Sequence, residues 1–483
     1  MDTVKIMIIG AGFGGLCMGI KLKQAHIDDF MILEKADDLG GTWRENTYPG
    51  AECDIPSALY SYSFAHNDAW HSKWSGQKQI HQYQHDTAKR YQLEQHIKYQ
   101  QQVTAATFND TSQRWLVTTQ CGQQYDVQHV ICAVGQLHHP SVPVFKNAEK
   151  FTGSMFHAAQ WKHDVDLSDK SVAVIGSAAS AVQFIPEIAN EVKRLTVFQR
   201  SPNWILPKID RPYAKWEQRL SAKVPLVTKA YRWSIWAIGE YLMFPAIKGH
   251  RLSRFLVKTM CKRNLNRHIQ DQDLKTKLTP DYPIGAKRVL FSDHYYPALA
   301  SPQVDLNCDG VQAFDEQGII DNNGQHTPVD VIIYGTGFKT NPFLADIEVW
   351  GSQLCSLRDT WKNGAHAYLG VSVNGYPNLH LLYGPNTNLG HTSIIIMLEA
   401  QSDYVLSLIT HLDNTSALSC EVKRNVELDY NQALQVRLKD MAFSKIANSW
   451  YKDGDKVTNN WAGGTKEYVR RLQTNDLENY RYT

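Results

Sequence analysis

The sequence predicts an α/β fold made of two Rossmann-like lobes that carry a mostly helical insertion. The main observation is a pattern that occurs twice: an apolar strand, a glycine turn, an amphipathic helix and a second apolar strand. In both copies the second strand ends 24 residues after the first glycine, from Gly10 to Glu34 and from Gly176 to Arg200. Residues 205–285 lack this alternation and place Trp, Leu and basic residues at helical spacing, which predicts the insertion.

Composition excludes several classes of protein. The chain has 483 residues, of which 43% are hydrophobic and 20% charged, which is typical of a globular protein and not of a disordered or fibrous one. A net charge of +2 provides no basic excess, so nucleic acid is not an expected partner. The most apolar windows are interrupted by charged residues, so no transmembrane segment is expected.

The cysteines indicate a reducing compartment. The eight cysteines include no Cys-x-x-Cys pair and no neighbouring His at metal-ligand spacing. We therefore expect neither a disulfide framework nor a metal site, and we expect a cytoplasmic protein. A strand that begins by Val4 leaves no room for a secretion signal, which agrees with that location.

The first copy of the repeat predicts a site for an adenine dinucleotide. Gly10, Gly12 and Gly15 form a GxGxxG motif between a strand over 4–9 and a helix to about residue 25. Glycines let the backbone approach a pyrophosphate, and the N-terminus of the helix carries partial positive charge toward it. Glu34, at the end of the next strand, is placed to accept hydrogen bonds from the ribose hydroxyls.

The second copy predicts a nicotinamide cofactor, NADP and not NAD. Arg200 stands where the first copy has its acid, and a guanidinium suits a 2′-phosphate. Ser201 and Lys287 offer further donors, whereas the alternative is that Arg200 is only a solvated residue at a strand end. Ala178 replaces the second glycine of the turn, and its methyl group narrows the approach of the phosphates. The helix that follows this second glycine turn is expected to run to about residue 191.

Two dinucleotide lobes in one chain imply a bound flavin and a nicotinamide cofactor that exchange a hydride. Two further apolar strands, over 127–133 and 330–334, end in glycine turns where the chain can cross between the lobes. The absence of a Cys-x-x-Cys pair disfavours a disulfide reductase. The predicted division is a FAD-binding lobe, a helical insertion and an NADP-binding lobe, with these boundaries: FAD lobe 1–145 and 341–483, NADP lobe 146–204 and 286–340, insertion 205–285.

Three motifs give the chain a resemblance to a known family. Phe151, Gly153, His157 and Trp161 match the FxGxxxHxxxW fingerprint of type I Baeyer–Villiger monooxygenases, although Lys162 replaces the Pro or Asp that usually follows. Residues 40–54 match GGxWxxxxYPGxxxD. The pair Lys287 and Arg288 precedes Tyr295 and Tyr296 as in that family, so the resemblance covers nearly the whole chain in the right order.

The resemblance implies an NADPH- and O2-dependent flavoprotein monooxygenase with FAD and NADP as cofactors. Such an enzyme inserts one oxygen atom next to a ketone carbonyl and forms an ester or lactone through a C4a-peroxyflavin. The partners are then a small ketone and O2; the identity of the ketone stays open, as does the oligomeric state, for which a monomer is favoured. Two alternatives remain: a flavin-containing monooxygenase that oxygenates nitrogen or sulfur, and a non-catalytic FAD/NADP-binding redox sensor.

The resemblance also implies roles for particular residues. A permanently charged Arg288 would stabilise the anionic oxidant and adduct, and Asp54 would orient it, whereas the alternative is a structural salt bridge between lobes. His157 would act by positioning, coupling NADP binding to the arrangement of the lobes. Thr392 or Ser393 is expected to cap a helix whose positive end faces the flavin.

The expected cofactor-binding residues form two groups. The FAD group is Gly10, Gly12, Gly15, Glu34, Gly41, Thr42, Trp43, Asp54, Tyr60 and Asn386. The NADP group is Gly176, Ser177, Ser180, Arg200, Ser201 and Lys287.

Overall fold

The computed structural model describes residues 1–340, 343–344, 346–446, 451–474 and 476–483. These residues contain 22 strands: β1 Asp2–Ile9, β2 Phe30–Leu33, β3 Ile97–Lys98, β4 Val103–Asn109, β5 Arg114–Thr119, β6 Gln124–Cys132, β7 Ser154–His157, β8 Ser171–Ile175, β9 Arg194–Phe198, β10 Ile205–Leu206, β11 Leu290–Phe291, β12 Val304–Asn307, β13 Val311–Phe314, β14 Gly318–Asp321, β15 His326–Pro328, β16 Val331–Tyr334, β17 Glu348–Trp350, β18 Leu379–Leu381, β19 Cys420–Val422, β20 Lys452–Asp453, β21 Lys456–Val457 and β22 Tyr480–Tyr482.

The same residues contain 14 α-helices: α1 Phe13–Gln24, α2 Thr42–Glu45, α3 Gln77–Arg90, α4 Ala179–Ile188, α5 Lys215–Lys223, α6 Pro225–Ile238, α7 Phe244–Lys248, α8 Arg251–His268, α9 Gln272–Lys277, α10 Tyr295–Leu299, α11 Leu357–Thr360, α12 Ile394–Asp413, α13 Arg424–Lys439 and α14 Thr465–Gln473. A π-helical turn, Gly239–Met243, joins α6 to α7. None of the described helices has a stretch long and apolar enough to cross a membrane.

The first sheet is built around β1. Its order is β17-β4-β5-β6-β1-β2-β3, with β18 added beside β6. β1 pairs in parallel with β2 and β6, and Ile6, Met7 and Ile8 are completely buried. A parallel strand covered on both faces is expected to be continuously apolar, which explains the run at the start of the sequence. Helix α12 packs against α1 and so brings the C-terminal part of the chain back to this sheet.

The second sheet is entirely parallel, in the order β12-β9-β8-β16-β7. β8 and β16 run side by side and end together, since Ile175 is paired with Tyr334. The sheet is formed by strands from residues 154–198 and 304–334, on either side of the helices of the insertion. The predicted Rossmann-like α/β class is confirmed, and the exact domain boundaries stay a prediction.

The insertion is mostly helical, as predicted, with α5 to α9 and the π-helical turn between residues 215 and 277. It also contains a short strand that the sequence analysis missed. Ile205 and Leu206 of β10 pair in parallel with Leu290 and Phe291 of β11. This pairing joins the start of the insertion to the segment that follows its end.

Two predicted element ends in the second repeat are wrong. Helix α4 ends at Ile188 and not near residue 191, because Glu191 accepts a hydrogen bond from the Asp169 amide and the chain has already turned. Strand β9 ends at Phe198, so Arg200 lies two residues beyond it. Arg200 therefore lies in the loop that leaves the sheet and is not part of the strand.

Gly15 is required by the packing of α1 against the turn after β1. A Cβ atom at this position would overlap the carbonyl oxygen of Gly10, which is backbone and cannot move aside. Gly14, one residue earlier in the same helix, differs: its Cβ would lie 3.5 Å from side-chain carbons of Ala133 and Leu398, an ordinary contact.

We expect Gly15→Ala to lower the stability of the protein by about 1–3 kcal/mol, the usual cost of overpacking. The melting temperature measured by circular dichroism checks this, with Gly14→Ala as the matched control. Equal melting temperatures for the two variants would contradict the proposed close packing.

Candidate active site

One large cavity, of about 1060 Å³, lies where strands of both sheets end. Its lining includes residues that directly follow the carboxyl ends of parallel strands: Gly10 after β1, Ala133 after β6, Gly176 after β8 and Gly335 after β16. The crevice outside the carboxyl ends of parallel strands is where α/β folds bind their ligands. Both repeats therefore open into the same space.

The two glycine turns have nearly the same backbone geometry. The φ angle is +103° at Gly10 and +104° at Gly176, a conformation that L side chains rarely adopt. A Cβ on Gly10 would lie 2.7 Å from the Ala133 carbonyl oxygen, and one on Gly176 would overlap the Gly335 carbonyl oxygen. Each turn passes so close to the end of a neighbouring strand in its sheet that only backbone fits between them. The start of the helix that follows each turn is left open to the cavity.

Glu34 holds a buried carboxylate at the end of the first repeat. Its side chain is 5% exposed, Oε2 accepts a hydrogen bond from the Ala11 amide at 2.8 Å, and Oε1 accepts from the Ala36 amide at 3.0 Å. A carboxyl group held by two backbone donors is fixed in place and retains free lone pairs. Because Glu34 also lines the cavity, these lone pairs are suited to the hydroxyl groups of a ribose.

Arg200, Ser201 and Lys287 form a basic region on the side of the second sheet. Lys287 Nζ donates to Ser201 Oγ at 2.5 Å and lies 4.8 Å from the centre of the Tyr282 ring. Burial, together with the positive charge of Arg200, lowers the pKa of Lys287. Two neighbouring cations of this kind are suited to an anion, because a bound phosphate would relieve their repulsion.

Arg288 and Asp54 form a bidentate ion pair in the lining of the cavity. Arg288 Nε donates to Asp54 Oδ2 at 2.5 Å and Nη2 donates to Oδ1 at 2.8 Å, while Nη1 donates to the Leu389 carbonyl at 3.1 Å. Burial by itself lowers the pKa of Arg288, but the charge and hydrogen bonds of Asp54 outweigh it and raise the pKa above its ordinary value. The guanidinium is therefore a permanent positive charge.

Trp43 and Tyr60 give the cavity an aromatic wall. Trp43 is buried, and its indole nitrogen donates to the Tyr60 hydroxyl at 3.1 Å. Gly41, Thr42 and both aromatic residues line the cavity. The backbone carbonyl of Trp43 accepts a hydrogen bond from Gln77 of α3, which fixes the segment.

Most of the residues predicted for the cofactor sites lie on this cavity. They are Gly10, Gly12, Glu34, Gly41, Thr42, Trp43, Asp54, Tyr60, Gly176, Ser177, Ser180, Arg200, Ser201 and Lys287, together with Arg288 from the predicted catalytic group. Ala178, the departure from the glycine pattern, is the residue before α4 and also lines the cavity.

Three predicted residues do not line the cavity. Gly15 faces Gly10 inside the packing of α1. Asn386 is buried, and its Nδ2 donates to the carbonyls of Val457 and Asn460 at 2.7 and 3.1 Å. The side-chain amide of Asn386 therefore joins two loops, and contact of this residue with a cofactor stays a prediction.

His157, the third of these residues, lies one layer behind the cavity. Its Nδ1 accepts from the Ala159 amide at 3.1 Å, and its ring packs edge-on against Phe338, which lines the cavity. Burial lowers the pKa of His157, so the imidazole is neutral near pH 7. This geometry allows an effect on the cavity through Phe338.

Sequence reasoning missed Tyr383 and Gln136. Tyr383 lines the cavity just after β18, and its hydroxyl donates to Asn388 Oδ1 at 2.6 Å. Gln136 lines the cavity after β6, and its amide donates to the Tyr383 carbonyl at 2.7 Å. An apolar run followed by Tyr383 and a glycine repeats the pattern of the other strand ends, so this signal was present in the sequence.

The cap of helix α12 is Ser393, one of the two predicted candidates. Ser393 Oγ accepts a hydrogen bond from the Ile395 amide at 3.3 Å. Thr392 and Ile394 line the cavity on either side of it. The positive end of this 20-residue helix is therefore next to the cavity.

Among the residues that the structure describes, two groups of side chains could hold a metal ion by ligand type: Asp38 with His81 and His85, and His138 and His139 with Asp346. In the first, Asp38 accepts a hydrogen bond from His85 at 3.1 Å, and His81 contacts the Leu39 carbonyl at 2.9 Å. These hydrogen bonds account for the arrangement without an ion. That the protein has no metal site stays a prediction.

Comparison with known proteins places the chain in a family. The family model described as pyridine nucleotide-disulphide oxidoreductase matches residues 7–214. A Baeyer-Villiger monooxygenase of Streptomyces coelicolor is 37% identical over 483 residues, covering 99% of this chain and 93% of that relative. Another of the same name, from Pseudomonas aeruginosa, is 39% identical over 448 residues, covering 92% and 85%.

The chain belongs to the Baeyer–Villiger monooxygenase family. A solved structure of an oxidized steroid monooxygenase bound to NADP is similar with a TM-score of 0.89 and 26% identity, covering 100% of this chain and 99% of that one. The prediction of an NADPH- and FAD-dependent monooxygenase is confirmed and is favoured over both alternatives. The name of the matching family model does not make this member a disulfide reductase, since the sequence has no Cys-x-x-Cys pair.

Proposed function

We propose that this Baeyer–Villiger monooxygenase binds FAD on the first glycine turn and NADP on the second, and inserts one oxygen atom beside the carbonyl of an apolar ketone. The observation that carries the proposal is the single cavity onto which both turns, Glu34, Lys287 and Arg288 open. Backbone-only turns suit two pyrophosphates, and one shared space lets a nicotinamide and a flavin meet. When bound and reduced, the flavin supplies the activated oxygen.

Arg288 is the residue to which we assign stabilisation of negative charge on oxygen. Its guanidinium cannot deprotonate, so it stays a cation while anionic oxygen forms and a carbonyl is attacked. Asp54 holds two of its donor nitrogens and the Leu389 carbonyl a third, which orients the guanidinium before the reaction begins. Pre-oriented charge of this kind needs no reorganisation during the reaction.

The alternative for Arg288 and Asp54 is a purely structural ion pair between segments far apart in the chain. Their position in the lining of the cavity supports the catalytic assignment. An ion pair placed only for stability is of doubtful value when partly buried, because desolvation offsets much of its attraction. The two roles predict different behaviour of an Arg288 variant that still folds.

Lys287 and Arg200 are the residues to which we assign recognition of the 2′-phosphate of NADPH. They lie on the side of the second glycine turn, and Ser201 adds a hydroxyl. His157 is a positioning residue in this proposal, because it acts on the cavity through Phe338 and does not line it. We also propose that the protein is a monomer and that it is cytoplasmic; its eight free thiols support the location.

We expect the purified, FAD-loaded enzyme to oxidise NADPH and consume O2 in a ratio near one to one with ester or lactone formed from linear, cyclic or aryl ketones. Product identification by mass spectrometry with labelled O2 checks this, and an aryl methyl sulfide is the control for soft nucleophiles. Oxidation of the sulfide with no ketone turnover would contradict the proposal, as would cofactor binding with no substrate-dependent NADPH oxidation.

We expect Arg288→Ala to lower ketone turnover by about 100-fold or more, the usual cost of removing a charge that stabilises a developing oxyanion. Flavin reduction by NADPH continues, and the O2 consumed then appears as hydrogen peroxide. FAD content and melting temperature show whether the variant is folded. The exposed Arg358→Ala is the matched control, and ketone turnover in Arg288→Ala equal to that of the control would leave only a structural role.

We expect kcat/KM for NADPH to fall as pH rises through the lowered pKa of Lys287. The group is a base whose pKa is lowered by burial and by Arg200, so its charge is present below that pKa and lost above it, earlier than for an ordinary lysine. Lys287→Arg should move the fall to higher pH. NADH, which lacks the 2′-phosphate, is the control, and identical pH profiles for the two nucleotides would contradict the assignment.

A further inference from the structure

The helical insertion exposes an unusual number of large apolar side chains. The described part of the chain has 21 exposed large hydrophobic residues, and 12 of them lie between residues 216 and 260. They are Trp216, Leu220, Val224, Leu226, Val227, Trp233, Ile238, Tyr241, Leu252, Phe255, Leu256 and Met260. Single exposed apolar residues are ordinary, but a concentration of this kind marks an interaction surface.

On two helices these side chains form stripes. Leu226, Trp233 and Tyr241 are spaced about two turns apart along α6 and the π-helical turn, while Arg232 on the same helix is buried. On α8, Leu252, Phe255, Leu256 and Met260 follow the i, i+3, i+4, i+8 spacing of one face and are 60%, 65%, 43% and 42% exposed. Val257 and Cys261 of that helix face the core instead. Both helices therefore expose a row of apolar side chains to solvent.

The same segment is strongly basic. Residues 215–267 contain 12 Lys and Arg but only two acids, Glu217 and Glu240, in a chain whose net charge is +2. Glu240 is buried, and Glu217 is already paired with Arg211 at 2.6 Å. The exposed bases are Lys215, Arg219, Lys223, Lys229, Lys248, Arg251, Lys258, Lys262, Arg263 and Arg267.

We propose that residues 215–268, which we call the docking surface, bind the face of an anionic lipid bilayer. Trp, Phe and Leu with flanking Lys and Arg are the composition of helices that lie in a membrane interface, where the apolar side chains enter the headgroup boundary and the bases meet lipid phosphates. A protein partner is the less suitable occupant, because protein–protein interfaces are depleted in lysine. The docking surface lies on the bilayer, since no described helix can cross one.

The docking surface is mechanically joined to the candidate active site. Gly239, in the helical stretch that exposes Trp233 and Tyr241, packs so closely on the loop before α12 that an added Cβ would lie 2.5 Å from the His391 carbonyl oxygen. Leu389 of that loop accepts the third hydrogen bond of Arg288. If the proposed function holds, docking brings the cavity beside a ketone dissolved in the membrane, whereas bilayer binding itself is independent of the activity.

The experiment is vesicle flotation of the FAD-loaded enzyme, with vesicles of phosphatidylcholine alone or mixed in equal parts with phosphatidylglycerol. We expect the protein to float with the anionic vesicles and to be released by high salt, because the attraction of bases to the surface is screened. No flotation with either vesicle, or equal flotation with both at every salt concentration, overturns the proposal.

Variants test the apolar and the basic side chains of the docking surface separately. We expect Trp233→Ser with Phe255→Ser, and separately Lys229→Glu with Lys262→Glu, each to lower the partition coefficient by about ten-fold or more. The matched control is Val436→Ser, which removes an apolar residue that is 64% exposed on α13, outside the docking surface. Wild-type binding by either double variant overturns the proposal.

Two further measurements distinguish bilayer binding from self-association and from a loss of activity. Light scattering detects self-association, and a dimer that dissociates in the Trp233→Ser, Phe255→Ser variant without any vesicle binding would assign the docking surface to a second copy of the chain. Ketone turnover without vesicles should be unchanged in this variant. A failure of the proposed function is therefore distinguishable from a failure to dock.

Discussion

The ion pair between Arg288 and Asp54 is the contact on which the arrangement of the site depends. It joins residues 234 positions apart, and the third donor of Arg288 reaches a carbonyl 101 positions further along the chain. Three segments that are far apart in the chain, at Asp54, Arg288 and Leu389, are thus tied together at one guanidinium. Because the ion pair is partly desolvated, loss of either Arg288 or Asp54 would leave the charge of the other without an opposite charge beside it, which is costly. The site therefore favours the one geometry that keeps the pair together.

The cavity around this pair follows from topology. Each repeat places a glycine turn at the carboxyl end of its first strand, and each turn must pass a neighbouring strand end, Ala133 in one case and Gly335 in the other, at a distance that excludes a side chain. The helix that follows each turn then directs its N-terminus into the same space. A flavin and a nicotinamide nucleotide can therefore be bound by separate sheets and still meet in the cavity that Arg288 and Asp54 line; we propose that they meet beside this ion pair.

Local sequence features predicted much of this arrangement. The strands, the glycine turns and Glu34 are determined within about 30 residues of chain, where apolar periodicity and glycine spacing are informative. Contacts between segments far apart in the chain could not be predicted as well from the sequence. Asn386 was predicted to bind a cofactor, but its side-chain amide donates hydrogen bonds to the carbonyls of residues 457 and 460. No local sequence pattern indicates this pairing. Tyr383 was missed although it follows an apolar strand, because only the pairing of β18 with β6 reveals that this strand belongs to the sheet.

The central claim is that one fixed cation, oriented by Asp54, faces the reacting part of the flavin. The most direct measurement is a crystal structure of the enzyme with FAD and NADP⁺ bound. The account predicts that Arg288 contacts the isoalloxazine ring or the nicotinamide while Asp54 remains close enough to hydrogen-bond to it. A guanidinium directed into bulk solvent, with both rings elsewhere in the cavity, would contradict it.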